Sequence, residues 1–215
     1  MNYGAYSSIS KMKRIIKFLY KNLYWVLALF FIVYTLVPFL SPIAFHFHHP
    51  RVGWWIQTIY KFLCHQRPER SLFLFGEQLT YTLSELRDHG YTGTIVGFRF
   101  VGNDTTGYKV AFCIRDVFLY GGMGFSGILA STMKAKFSLP WWGLLLSAAP
   151  MAIDGLTQFA SEFLYMTQNS WGISLAKPYY LSNNVTRAVT GILFGVGVGF
   201  FIFSELKAAI QETDI

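Results

Sequence analysis

The chain has 215 residues, of which 53% are hydrophobic and 19% aromatic, while only 13% are charged, against about 25% in a typical soluble domain. This excludes an ordinary soluble enzyme and points to one compact membrane unit. The net charge of +7 does not require nucleic acid, because the basic residues gather at the ends of apolar runs, where topology and anionic lipid headgroups account for them.

Residues 1–22 form a basic N-terminus, with Lys11, Lys13, Arg14, Lys17 and Lys21 and no acid. Leu23 to Phe45 is an uncharged apolar run of 23 residues, and about 20 residues of helix cross the hydrocarbon. The run is too long for a signal peptide and predicts a retained first membrane helix, bent or ended by Pro38 and Pro42. His46, His48 and His49 then read as an interfacial loop, since nothing beside them completes a metal set. Residues 52–63, with Trp54, Trp55 and Tyr60, predict a short interfacial helix. It delivers the most polar stretch of the chain, Cys64 to Ser71 (CHQRPERS). Arg70 to Leu86 continues with a helical reading.

Glycines punctuate residues 88–108, where Thr94–Val101 and Thr106–Ala111 flank a Gly102-Asn103-Asp104 turn. That pattern predicts a small β-hairpin outside the membrane. Three further membrane helices follow, over 110–133, 138–160 and 183–203, with a loop over 161–182 and a cytoplasmic tail over 204–215. The expected fold class is therefore an all-α membrane protein: four transmembrane helices within residues 23–203, an interfacial helix and a hairpin insertion.

By the positive-inside rule, the N-terminal basic cluster and the Lys134/Lys136 turn are cytoplasmic, as are both termini. Four polar clusters then fall at the outer end of the bundle. They are Cys64–Ser71, Cys113/Arg115/Asp116, Asp154/Gln158 and Asn184/Arg187. Intramembrane polar residues face a bundle interior or cavity, and the i,i+3 and i,i+4 spacings within each cluster give each helix a single polar stripe.

Two chemistries are on offer. Cys64, His65, Cys113 and Asp116 form a candidate ligand set of two sulfurs, a nitrogen and an oxygen, for which zinc is the natural ion. A Cys64–Cys113 disulfide is the alternative. Arg67, Arg70, Arg115 and Arg187, with Asn184, suit a phosphate-bearing headgroup, against the alternative of simple salt bridges to nearby carboxylates. Catalysis would add Asp154 as general base, with Gln158 and Arg187 beside it. The metal is structural if all four ligands bind and catalytic if one position stays open. No G-x-S-x-G, H-E-x-x-H or P-loop pattern occurs. Small-residue faces at Gly121, Gly122, Gly124 and Gly127 and at Gly191, Gly195, Gly197 and Gly199 suit close helix packing, in the chain or in a homo-oligomer.

Four motifs carry a family resemblance: C-H-Q-x-x-x-R-S at Cys64–Ser71, C-x-R-[C/D] at Cys113–Asp116 followed by Tyr120-Gly121, D-G-x-x-Q at Asp154–Gln158, and N-x-x-R-x-x-T-G at Asn184–Gly191. Over about residues 25–203 the chain resembles an uncharacterised family of prokaryotic membrane proteins, a domain of unknown function. Many members carry C-x-R-C where this chain ends the second motif in Asp116. Three cysteines and a histidine resemble a metal site, so the resemblance implies metal rather than disulfide. The inserted hairpin resembles the archaeal version of the family. No activity is implied. The residues themselves favour a metal-dependent hydrolase or transferase on a lipid or isoprenoid headgroup; a small transporter and an assembly factor are the alternatives.

Overall fold

A computed structural model describes residues 18, 22–93, 99–132, 139–170, 180 and 182–212. The basic N-terminal cluster, the Lys134/Lys136 turn, the first strand of the expected hairpin from Thr94, and Trp171 to Pro178 lie outside the described residues.

The first apolar run is helical almost throughout. Helix α1 (Leu23–Leu36) passes through a 3-10 turn at Val37–Phe39 into α2 (Leu40–His46). Pro38 sits at the start of that turn, where its missing N–H costs least. His48, at φ 59°, turns the chain, and α3 (Pro50–Tyr60) opens on a proline. His46 stacks on Phe75 at 4.1 Å, as suits an interfacial loop.

A three-stranded antiparallel sheet follows: β1 (Ser71–Leu74), β2 (Gly102–Asn103) and β3 (Gly107–Cys113), in the order β1-β3-β2. Asn103 accepts from the Thr105 and Thr106 N–H groups at 3.0 and 2.9 Å, and Gly107 has φ +69° with no room for a Cβ beside the Leu74 carbonyl. The reading of Arg70–Leu86 as helix is corrected here. Ser71–Leu74 is a strand whose alternate residues Ser71 and Phe73 are buried, and only α4 (Leu83–Asp88) is helical. Its N-terminus carries a Thr82/Glu85 capping box.

The expected second membrane helix also changes at its start. Residues 110–113 belong to β3, and α5 spans Ile114–Thr132. Helix α6 (Trp141–Ser170) runs ten residues beyond the expected 160, and α7 spans Asn184–Glu212. Polar residues such as Glu162 and Thr167 end the apolar character of α6 but not its hydrogen bonding. Among the described residues, two helical runs are long and apolar enough to cross a membrane, Leu23–His46 and Asn184–Leu206. Arg115, Asp116 and four glycines dilute α5, and Asp154, Gln158 and Glu162 interrupt the second half of α6.

Glycines set how the helices meet. A Cβ on Gly191 would come within 2.6 Å of the Arg115 carbonyl, one on Gly195 would overlap that of Leu119, and one on Gly199 would overlap Ser126 Oγ. The numbers rise together, so α5 and α7 run parallel at backbone contact. Gly124 meets Ile32 and Gly127 meets Ala28, so α1 runs antiparallel to α5; Gly197 meets Ser147 of α6. Both glycine faces are thus engaged within the chain, and a homo-oligomer would have to use other surfaces. Where the bundle meets the sheet, Tyr34, Tyr60, Phe112 and Tyr120 form an aromatic knot with edge-on centroid distances of 4.8 Å (Tyr34–Tyr120) and 4.6 Å (Tyr60–Phe112).

Candidate functional site

The register of the sheet builds the site. Ser71 pairs with Cys113, so the Cys64–Ser71 loop is laid against the point where β3 becomes α5. Cys113 ends the strand and Asp116 lies in the first helical turn.

A buried polar network anchors the loop. Gln57 donates to Ser41 Oγ and to the Lys109 carbonyl, both at 2.9 Å. Gln66 donates to the Gln57 carbonyl at 2.9 Å, and Lys109 Nζ donates to the Gln66 carbonyl at 2.8 Å. Ser41, Gln57, Gln66 and Lys109 are all fully buried. Burial pushes the Lys109 ammonium down to about 7, against an opposing pull from Cys64 and Glu69. Gln66, at φ 49°, turns its backbone N–H onto Cys64 Sγ at 3.5 Å.

Cys64, Cys113 and Asp116 offer ligand atoms that all lie within 4.8 Å of one another. Both cysteines are free thiols, and Cys113 Sγ donates to Asp116 Oδ2 at 3.1 Å. The hydrogen bond with Cys64 and burial hold the Cys113 thiol well above its ordinary range, and the Asp116 carboxylate adds to that. The three could hold a metal ion, since two thiolates on one tetrahedral zinc stand about 3.8 Å apart, from Zn–S bonds of about 2.3 Å. His65 is not gathered into this trio. Its side chain is exposed, although it lines the same cavity.

That cavity, of about 570 Å³, is the centre of the arrangement. Cys64, Cys113 and Asp116 line it together with Arg67, Arg70, Arg115 and Arg187. Arg67 and Arg70 pair with Glu69 and Glu162, the shortest contact to Glu162 being 2.9 Å from Arg70. Burial lowers the Arg70 pKa, as does Arg67 beside it. Arg115 pairs with Asp154. Arg187 is 4% exposed, and its hydrogen-bond partner is a neutral amide, Gln158 Oε1 at 3.0 Å. It is the one cavity arginine with no carboxylate among the described residues within ion-pair range.

Asp154 does not line the cavity. It is 5% exposed, and it accepts from Arg115, from the Tyr180 hydroxyl at 2.6 Å and from Ser182 Oγ at 2.9 Å. The carboxylate is saturated and orients Arg115. Gln158 is likewise engaged, donating to Glu162 at 2.8 Å while accepting from Arg187. Asn184 donates to the Glu69 carbonyl at 3.2 Å, which ties α7 to the loop.

Sequence reasoning missed the part played by Glu162, Ser182 and Tyr180. The i,i+4 step from Asp154 through Gln158 to Glu162 was a signal for the first. Gln66 and Lys109 gave no signal, because nothing in a strand pattern marks a lysine as buried.

Residues 104–201 match the model of a family described as predicted membrane protein, DUF2085. The match takes in Cys113, Asp116, Asp154, Gln158, Asn184 and Arg187. A curated relative, the uncharacterised protein MJ1492 of Methanocaldococcus jannaschii, is 25% identical over 191 residues, covering 85% of this chain and 91% of its own. No solved structure matches. The chain is thus similar to an uncharacterised, archaeal-type family of predicted membrane proteins.

Proposed function

We propose that this is a four-span membrane protein with a zinc-dependent site at the outer bilayer boundary, hydrolysing or transferring a phosphate-bearing lipid or isoprenoid headgroup. One observation carries the reading. One cavity is walled by a two-thiol, one-carboxylate trio and by four arginines, of which buried Arg187 has no ion pair among the described residues. A buried cation without a counter-ion is costly, and an anionic ligand would remove that cost.

The four-span reading draws on the exposed apolar faces of α5 and α6 as well as α1 and α7. Leu145, Leu146, Ile153, Leu156 and Phe163 stand exposed along α6, a pattern suited to lipid. The stripe Val52, Trp55, Ile59 on α3 is also exposed and suits the interface. Both termini are cytoplasmic in this reading, from the basic N-terminus.

Cys64, Cys113 and Asp116 would hold the ion, which when bound would supply Lewis-acid chemistry and make a neighbouring water more acidic. The arginines hold the non-bridging phosphate oxygens and offset charge developing at phosphorus. Attack of water oxygen on phosphorus breaks the ester P–O bond, and the leaving oxygen takes up a proton. Glu162, on the cavity wall, is better placed than Asp154 to accept the proton from water. The transport reading gains no support, since α5 and α7 touch backbone to backbone below the site.

The test is phosphate release from farnesyl diphosphate and phosphatidic acid by the purified protein in detergent. Release that falls with chelation and is lost in Cys113→Ala and Arg187→Gln is expected. Release that persists through chelation and in Cys113→Ala contradicts the reading.

A further inference from the structure

A second cavity, of about 500 Å³, lies against the first, and Arg67, Arg70 and Arg187 line both. The three arginines are therefore a shared wall. The two sides differ in chemistry. On the first side stand the thiols and, at its rim, Leu63 and Phe159, which are 57% and 69% exposed. On the second side stand the uncharged hydrogen-bonding residues Gln78, Thr80, Ser182, Asn183 and Asn184, together with the carboxylates of Glu69 and Glu85.

Two of these retain capacity. Asn184 Oδ1 is buried and has no hydrogen-bond partner, although its amide nitrogen is engaged with Glu69. A buried acceptor left unsatisfied costs about 1–3 kcal/mol. Asn183 uses its oxygen to cap Thr186 N–H at 2.7 Å, leaving its NH₂ as donor. Mixed uncharged donors and acceptors beside an arginine wall match hydroxyl groups carried on a phosphate.

We infer that the second cavity binds the hydroxyl-bearing portion of a lipid phosphodiester whose phosphate rests on the shared arginines and whose apolar chains leave past Leu63 and Phe159. The inference rests on the proposed anion site and names its substrate class: a polyol- or sugar-phosphate lipid rather than a bare phosphomonoester. Asn184 and Thr80 are then specificity-determining residues, contacting the hydroxyls and not the phosphorus.

The experiment is a binding titration of the purified protein in detergent with phosphatidylinositol, phosphatidic acid and soluble inositol 1-phosphate. Wild type is expected to prefer phosphatidylinositol over phosphatidic acid by about tenfold or more, roughly 1.4 kcal/mol. Thr80→Val with Asn184→Leu abolishes the preference, whereas Arg187→Gln weakens both lipids. Should the double variant fail to fold, Thr80→Val alone, at a partly exposed position, reduces the preference. Equal binding of the two lipids by wild type, or a preference that survives the substitutions, overturns the inference. Competition by inositol 1-phosphate as strong as that of the lipid overturns its lipid part. The titration reads binding and not turnover. A preference without cleavage of phosphatidylinositol to inositol phosphate or inositol keeps this inference and removes the hydrolase reading, and cleavage without preference does the reverse.

Discussion

The two walls of the main cavity are held by different physics. The thiol wall hangs on backbone pairing, with Ser71 opposite Cys113 and the neutral amides of Gln57 and Gln66 tying the loop beneath it. The arginine wall is held by carboxylates reaching in from α6 and the loop. The first arrangement suits fixed ligand geometry, because nothing in it gains from exchanging partners. The second leaves one charge over, at Arg187, and suits an anion that comes and goes. The proposed metal site thus rests on strand β3, the loop and the first turn of α5, and the proposed anion site on the same loop and the helices α5 and α7.

The comparison breaks most severely at Asp154. Asp154→Asn leaves Arg115 part-buried without its counter-charge and is expected to destabilise by about 3–5 kcal/mol, read from chemical unfolding in detergent. If Asp154 were instead only a general base, stability would hold and turnover alone would vanish. Next comes the amide network. Gln57→Leu removes the amide donor to the buried Lys109 carbonyl and Ser41 hydroxyl, with an expected loss of about 2–6 kcal/mol from two bonds at about 1–3 each. The same change should lower metal retention, because the Cys64 loop loses its anchor. An unaltered unfolding midpoint would show the network to be dispensable. Gly195→Val tests the bundle beneath both walls. It drives a side chain into the Leu119 carbonyl and should cost about 1–3 kcal/mol or more by overpacking, while metal content per folded chain stays constant.

A further test is in pH. Burial pushes the folded-state Lys109 ammonium down to about 7, against about 10.4 in the unfolded chain. Below pH 7 both states carry the proton and the cost of burying it is fully present. Between about 7 and 10.4 the unfolded chain binds more protons, so stability rises with pH. Unfolding at pH 7 and pH 9.5, in wild type and in Lys109→Met, checks this. Wild type should gain on the variant at the higher pH, and parallel profiles would show that Lys109 is not the source.

Much of the bundle was legible because its signals are local. The uncharged run from Leu23, the early polar residues of α7 and the late ones of α6 each mark a helix and its polar end. Convergence of Cys64, Cys113, Asp116 and Arg187 on one cavity follows from that ordering. Strand β1 was not legible, because four residues, Ser71–Leu74, are too few to show a period against a helical reading. The departure of His65 from the ligand set was hidden for a different reason. Cys64 and His65 both line the cavity, and the turn at Gln66 brings Cys64 alone to Cys113 and Asp116. The partners of Asp154 were not legible, because Tyr180 and Ser182 lie 26 and 28 residues away.

The central claim is the metal at Cys64, Cys113 and Asp116, and elemental analysis with a free-thiol count tests it most directly. The expected result is about one zinc per chain in wild type and in His65→Ala, lost in Cys113→Ala, with two thiols recovered after denaturation and chelation. Absence of metal together with absence of free thiols would contradict the claim and establish a Cys64–Cys113 disulfide in its place.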